Sequence, residues 1–226
     1  MLKTLDKIKL EIPTSIGAEF LTKLLGGRLN PHIEKLLSER RPICIDNIEP
    51  KAIYSDFEIE RIKGDNVYFK SGNVFKGPNI SKILKGSRTA IIFMTTLGNR
   101  IDDIIKNISD SGDLLATIVM DAVTTELLAV LGSHVAEIIK KDGIRKEGWG
   151  STCNYSPGQY KWTIEEQSEI FSMIDGGKIG VRLNENYLMI PFKSSSGVYG
   201  FGPADEIDKT RVACDICPRK DCIGRR

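Results

Sequence analysis

The side chains best suited to chemistry are the thiols near the C-terminus. Cys214, Cys217 and Cys222 follow a C-x-x-C-x-x-x-x-C spacing, in which the first pair forms a natural chelate and the third thiol extends it. Thiolates spaced in this way suit an iron–sulfur cluster, with zinc as the alternative. Three thiolates leave a four-ligand site incomplete. We predict that Cys153 is the fourth ligand, and Cys44 is the alternative.

Two further features could bind a ligand. Ser156-Pro157-Gly158 is a turn signal, and the glycine would let a ligand approach the backbone closely. Glu126 lies seven residues after Val119 and four before Val130, on the apolar stripe of a long helical pattern. A buried carboxylate needs a partner, which makes Glu126 a candidate ligand group. The alternative is that the helix turns Glu126 to the solvent edge of the stripe.

The residue patterns that several other chemistries need are absent from the sequence. The histidines His32 and His134 are the only two in the chain, and neither stands in a metal-ligand or catalytic-triad pattern. No G-x-x-x-x-G-K-[ST] loop is present, which excludes ATP-driven activation by a P-loop in this chain. The cysteine spacing also differs from the C-x-x-x-C-x-x-C of radical S-adenosylmethionine enzymes.

Charge and hydropathy argue against nucleic acid and membrane partners. The formal net charge is +2, and the densest basic cluster, Arg219 to Arg226, is interrupted by Asp221. No run approaches the roughly 18 consecutive apolar residues of a membrane span. Met1 to Lys7 lacks the apolar stretch of a signal peptide. We therefore expect a cytoplasmic protein. In such a reducing compartment the five cysteines, an odd number, indicate ligands or buried thiols rather than a disulfide framework.

The elements that must position these residues are mixed helices and strands. The sequence predicts helices over 14–26, with Thr14 or Ser15 as N-cap, over 31–40, and over 113–141 with a kink or break near Gly132. A capping box at 163–166 predicts a further helix that ends at Gly176-Gly177. Strands are predicted where short runs are bounded by turn signals or where an apolar run is continuous. They cover 58–62, 66–70, 88–95, 178–183, 187–192 and 194–201. This clustered order predicts an α+β fold.

Several of these segments, in this order, resemble the activation domain of cobalamin-dependent methionine synthase. They are the turn at 95–98, Thr-Thr-Leu-Gly, the Pro-Gly loop with the following helix, and the strand containing Pro191-Phe192-Lys193-Ser194-Ser195-Ser196-Gly197. The likeness covers about residues 45–205. It implies a single α+β domain with a twisted, mainly antiparallel sheet flanked by helices. An N-terminal helical segment (1–44) and a Cys-rich tail (206–226) would flank it.

The resemblance also implies a function. The family binds S-adenosylmethionine in a shallow groove and remethylates a corrinoid that has been oxidised to cobalt(II). This chain would then reactivate a separate corrinoid methyltransferase protein that supplies the B12 cofactor, as an S-adenosylmethionine-dependent methyltransferase-type activator. A cluster in the tail would be the electron donor.

The family likeness and the turn chemistry together predict a ligand-binding set. Its members are Glu126, Asn154, Ser156, Pro157, Gly158, Gln159, Ser196 and Gly197. The family has arginine where this chain has Asn154, and tyrosine where it has Gln159. Loss of one charge-assisted pair predicts weaker S-adenosylmethionine binding, by about 1.5–3 kcal/mol or roughly 10- to 100-fold.

Two other functions fit the same residues. The domain could be a non-catalytic module that binds a corrinoid protein, which the residues at positions 154 and 159 favour. It could also be an iron–sulfur electron carrier to a corrinoid protein, which the cysteine tail alone would support.

Overall fold

The computed structural model of the protein describes residues 2–225 and consists of one large sheet with helices on both faces. The strands are β1 (Lys3–Leu5), β2 (Lys51–Lys63), β3 (Asn66–Phe69), β4 (Val74–Lys76), β5 (Thr89–Thr96), β6 (Trp149–Ser151), β7 (Arg182–Leu183), β8 (Met189–Ile190) and β9 (Ser194–Pro203). The helices are α1 (Ala18–Leu24), α2 (Pro31–Asp46), α3 (Pro78–Ile83), α4 (Asn99–Asp110), α5 (Leu114–Gly143) and α6 (Gln167–Met173). The main sheet has the order β4-β3-β2-β5-β9-β6, with β1 paired to β2, and β7 and β8 form a separate hairpin.

The central strand β5 explains why its sequence is a continuous apolar run. It pairs antiparallel with β2 on one side and β9 on the other. Ile91 and Phe93 point to one face of the sheet, and Ile92 and Met94 point to the other. Because both faces are covered, successive residues of β5 are buried, as the strand predicted over 88–95 requires.

The face of the sheet that is covered by α1, α2, α4 and α5 carries the larger core. Helix α5 packs on β5 and β9, and α1, α2 and α4 pack around α5. Asp113 is the N-cap of α5 and accepts a hydrogen bond from the Ala116 amide at 3.0 Å. The helix then continues without interruption for 30 residues, so a break near Gly132 is wrong, whereas the alternative of a kink stays a prediction.

On length and composition, α5 could cross a membrane, but its packing is that of a core helix. Val119, Val123, Leu127, Leu131 and Val135 are fully buried among the sheet and the neighbouring helices.

The opposite face of the sheet is covered by α3, α6 and the segment around Trp162. Trp162 stacks on Tyr155 with ring centroids 5.8 Å apart, and Phe75 packs beside it at 5.2 Å. The residues after β6 therefore contribute to this second core, which fixes the path of the chain from residue 152 to residue 162.

Several predicted boundaries differ from the structure. Helix α1 begins at Ala18, after Gly17, and α2 extends to Asp46 rather than to residue 40. The predicted capping box at 163–166 is wrong. The Glu166 carboxylate instead accepts from the Lys76 amide at 2.8 Å, and a 3₁₀ turn precedes α6. Helix α6 ends at Met173, and residues 176–179 form a second 3₁₀ turn.

Candidate functional site

The candidate site is the surface of β9 and of residues 154–156 on the side of the sheet that carries α5, which we call the α5–β9 groove. At one end the Lys193 ammonium donates to the Asp121 carboxylate at 2.7 Å and to the Thr125 hydroxyl at 2.9 Å. The Lys193 side chain is only 14% exposed, so this ion pair is largely shielded from solvent on the lysine side. Lys193 thereby ties the start of β9 to the second and third turns of α5.

At the other end the helix and strand touch directly. A Cβ added to Gly143, the last residue of α5, would overlap the aromatic ring of Phe201. Only glycine allows this close approach. The Lys140 ammonium lies 5.8 Å from the ring centroid of Tyr199, which places a cation on the same side of the groove.

The wall of the groove opposite α5 comes from the segment that follows β6. Tyr155 forms an antiparallel bridge with Val198, so the neighbouring side chains of Asn154 and Ser156 turn to the face that Gly197 shares. A Cβ on Gly197 would overlap the Asn154 Oδ1 atom and lie 2.9 Å from the Ser156 hydroxyl oxygen. The structure therefore brings together three of the predicted ligand-binding residues: Asn154, Ser156 and Gly197.

The Asn154 side chain has an unusual environment. Its Oδ1 atom is buried, and the described residues provide no hydrogen-bond partner for it. An enclosed acceptor without a donor costs about 1–3 kcal/mol, which a ligand or water that donates a hydrogen bond would recover. Asn154 is therefore a member of the predicted set with a buried acceptor left unused.

The Pro-Gly loop itself is held by its own hydrogen bonds. Gly158, at φ +87°, donates to the Trp162 carbonyl at 2.8 Å, and the Gln159 side-chain oxygen accepts from the Ser156 amide at 3.0 Å. Pro157 is buried, whereas Gly158 is exposed. The Gln159 oxygen is thus already engaged within the loop, and Gly158 is the part of the loop that a ligand can reach.

Ser196 does not share the groove with Gly197. Side chains alternate along a strand, so Ser196 points to the opposite face, where its hydroxyl donates to the Gln167 side-chain oxygen at 2.7 Å. Ser196 is 1% exposed and Gln167 is 3% exposed. The grouping of Ser196 with Gly197 in one ligand site is therefore wrong, because strand geometry separates the two side chains.

Glu126 is also away from the groove. Its carboxylate accepts from the backbone amides of Gly17 and Phe20, both at 2.6 Å, and so caps the N-terminus of α1. At 100° per residue, Glu126 lies about 140° around the helix from Asp121. The placement of Glu126 against the Pro-Gly loop is therefore wrong. The carboxylate is half-buried, and its partners are amides of α1.

The cysteine tail packs on the face of the sheet opposite α5. Ala213 and Ile216 contact the core cluster that contains Cys153. Burial, and then the negative charge of Asp208, raises the pKa of the Cys153 thiol to about 11. Among residues 2–225, no group of three or more Cys, His, Asp or Glu side chains is arranged to hold a metal ion. The site of Cys214, Cys217, Cys222 and Cys153 therefore stays a prediction.

The alternative fourth ligand, Cys44, lies elsewhere. It is fully buried in the core on the α5 side, with its sulfur 4.0 Å from the Met120 carbonyl oxygen. Burial raises the pKa of its thiol to about 12. The sheet separates Cys44 from the tail, which leaves Cys153 as the cysteine on the same face.

Lys193 belongs to the strand end that the sequence places at the ligand, whereas the contributions of Asp121 and Thr125 were missed at the level of sequence. The signal that could have found them is the spacing of Asp121 and Thr125, one turn apart on a polar interruption of an apolar helix.

No family model and no curated protein sequence matches the chain. Among solved structures, the chain is similar to the MetH reactivation domain, whose crystal structure has AdoHcy bound. The TM-score is 0.63 at 13% sequence identity, and the match covers 92% of this chain and 80% of that chain. The fold of the family that the sequence resembles, an α+β domain with an antiparallel sheet, is therefore confirmed.

Proposed function

We propose that this protein reactivates a corrinoid-dependent methyltransferase by methylating its cobalt with S-adenosylmethionine bound in the α5–β9 groove. The observation that carries the proposal is the shared fold, over 92% of the chain, with a reactivation domain that binds AdoHcy. AdoHcy is what remains of S-adenosylmethionine after its methyl group has left. A soluble corrinoid-binding protein in the cytoplasm is the expected partner.

The reaction balances as two steps. A one-electron donor reduces the partner's cobalt(II) to cobalt(I). The electron pair of cobalt(I) then attacks the sulfonium methyl carbon, which forms a cobalt–carbon bond, breaks the carbon–sulfur bond and releases AdoHcy. The second step removes cobalt(I) and so draws the unfavourable reduction forward. The protein contributes by holding the methyl donor where the partner's cobalt can reach it.

The groove residues suggest how the donor is held. The amino group of S-adenosylmethionine can donate to the unpartnered Asn154 Oδ1, and the absence of a side chain at Gly197 makes room for the Asn154 and Ser156 side chains at the site. Asn154 cannot form the bidentate ion pair that an arginine gives to a carboxylate. We therefore expect affinity to be weaker than for an arginine-bearing relative, and Asn154→Arg to tighten binding by about 10-fold or more.

We propose that Cys214, Cys217, Cys222 and Cys153 bind an iron–sulfur cluster that donates the electron. The alternative metal is zinc, which is redox-inactive, so the electron would then come from a separate one-electron donor. Support comes from the spacing of the cysteines and from the alternation along residues 153–156. Cys153 faces the tail side of the segment, and Asn154 faces the groove side. A cluster there would lie on one side of residues 153–156, with the groove on the other side. Anaerobic purification with metal and sulfide analysis tests this. Protein with zinc alone would contradict the electron-donor role, and protein without iron or zinc would contradict the metal site.

A second candidate function is a corrinoid-protein binding module without methyl transfer. The observation that favours it is Gln159, whose side-chain oxygen is engaged within its own loop. Anaerobic incubation with cob(II)alamin, titanium(III) citrate and S-adenosylmethionine distinguishes the two. Reactivation predicts methylcobalamin and AdoHcy in equal amounts, above the protein-free rate. A binding module predicts a changed cobalamin spectrum without AdoHcy, which would contradict the main proposal.

A further inference from the structure

Gly132 lies in the middle of α5, where glycine is unfavourable. Glycine loses more backbone freedom on folding than any other residue, so a mid-helix glycine destabilises relative to alanine. A structural reason for such a glycine is usually a close neighbour. Gly143 in the same helix has one, because a Cβ there would overlap Phe201. Gly132 has none: a Cβ at this position meets no described atom within 4 Å.

The helix register places Gly132 on the groove. At 100° per residue, Asp121, Thr125, Gly132 and Gly143 fall within about 40° of one another around α5. Asp121 and Thr125 contact Lys193, directly before β9, and Gly143 lies against Phe201 in β9, so the two ends of this stripe face the strand. Gly132 is partly exposed and lies between the two ends of the groove.

The Lys193 contacts and the Gly143–Phe201 contact also fix the level of Gly132 along β9. A strand advances about 3.3 Å per residue and a helix about 1.5 Å, so four strand residues match about nine helix residues. Counting back from the Phe201–Gly143 contact places Gly197 opposite roughly residue 134. Counting forward from Lys193, whose partners centre near residue 123, gives roughly residue 132.

We infer that Gly132 is a specificity-determining residue, whose missing side chain leaves room for an S-adenosyl ligand to lie against the backbone of α5 opposite Gly197. The inference rests on the proposed function. The Asn154 Oδ1 atom beside Gly197 is a separate observation, because it is a buried acceptor that a donor group of a ligand would satisfy at this level of the groove. The glycine is then kept at a cost in helix stability because any larger residue would occupy the ligand's space.

The test pairs unfolding with calorimetry on full-length variants. In Gly132→Ala the new methyl group enters open space, so the melting temperature should rise by about 2–4 °C. The affinity for S-adenosylmethionine should nevertheless fall by roughly 10-fold, because the methyl group overlaps the ligand. Ser133→Ala is the matched control: it also improves helix propensity but points away from the groove, and its affinity should stay at the wild-type value.

Each result has a distinct meaning. Opposite shifts in stability and affinity, found in Gly132→Ala alone, support the inference. Wild-type affinity in Gly132→Ala would overturn it and leave the proposed function standing. A lower melting temperature would also overturn it, because the fold itself would then require the glycine. Absence of S-adenosylmethionine binding in the wild type would overturn both.

Discussion

Glu126 allows a sharp distinction between a structural and a ligand-binding carboxylate. Its oxygens accept from the amides of Gly17 and Phe20, both at 2.6 Å, at the start of α1. Hydrogen bonds to a charged group are worth about 1.5–3 kcal/mol each, and the half-buried amides can recover part of this from water. We therefore expect Glu126→Ala to lose about 2–4 kcal/mol of unfolding free energy. This corresponds to a fall in melting temperature of about 5–15 °C.

The assay is thermal and urea-induced unfolding followed by circular dichroism, with Glu126→Gln as the control. Glutamine keeps the shape and one acceptor oxygen, so it should lose about half as much stability. Hydrogen exchange at the Gly17 and Phe20 amides should accelerate in both variants. Titration of folded Glu126→Ala with S-adenosylmethionine should give wild-type affinity. Unchanged stability together with lost affinity would refute the capping role and return Glu126 to the ligand site.

Three further changes test the packing around the groove. Lys193→Met keeps the apolar stem but removes the ammonium group. It should lower the unfolding free energy by about 1 kcal/mol and should also weaken S-adenosylmethionine binding. An unaltered affinity would show that the ion pair does not shape the groove. Gly143→Ala should destabilise by about 1–3 kcal/mol, since its methyl group overlaps Phe201, and a melting temperature at or above the wild-type value would contradict this. Burial raises the pKa of Asp102 above its usual 3.8, so the native state binds this proton more tightly. The contribution of Asp102 to the unfolding free energy should therefore fall as pH rises from about 4 through the native pKa. Urea unfolding measured across this pH range should show this fall in the wild type and not in Asp102→Asn.

The central elements of the fold could be predicted because their signals are local. The apolar run at 90–94 indicates a strand buried on both faces, and Asp113 is the N-cap of the long helix. Helix α4 was missed although Ile101, Ile104, Ile105 and Ile108 have helical spacing. Helix α4 begins directly after the Gly98 turn without a side-chain cap, so no N-cap residue marks its start in the sequence.

The site could be predicted only in part because its geometry depends on distant segments. Strand alternation alone could have shown that Ser196 and Gly197 face opposite sides of the sheet. No local pattern could have shown that Glu126 caps a helix more than 100 residues earlier in the chain. The same applies to Asn154, whose position over Gly197 follows from the bridge that its neighbour Tyr155 makes to β9.

Hydrogen exchange with and without S-adenosylmethionine tests the groove most directly, since it needs no variant. A ligand between α5 and β9 should slow amide exchange in three segments, around residues 128–136, 153–158 and 193–199. The Cys-rich tail, on the other face of the sheet, should exchange equally in both states. Protection confined to other segments, or no protection at saturating S-adenosylmethionine, would contradict the assignment of the α5–β9 groove as the methyl-donor site.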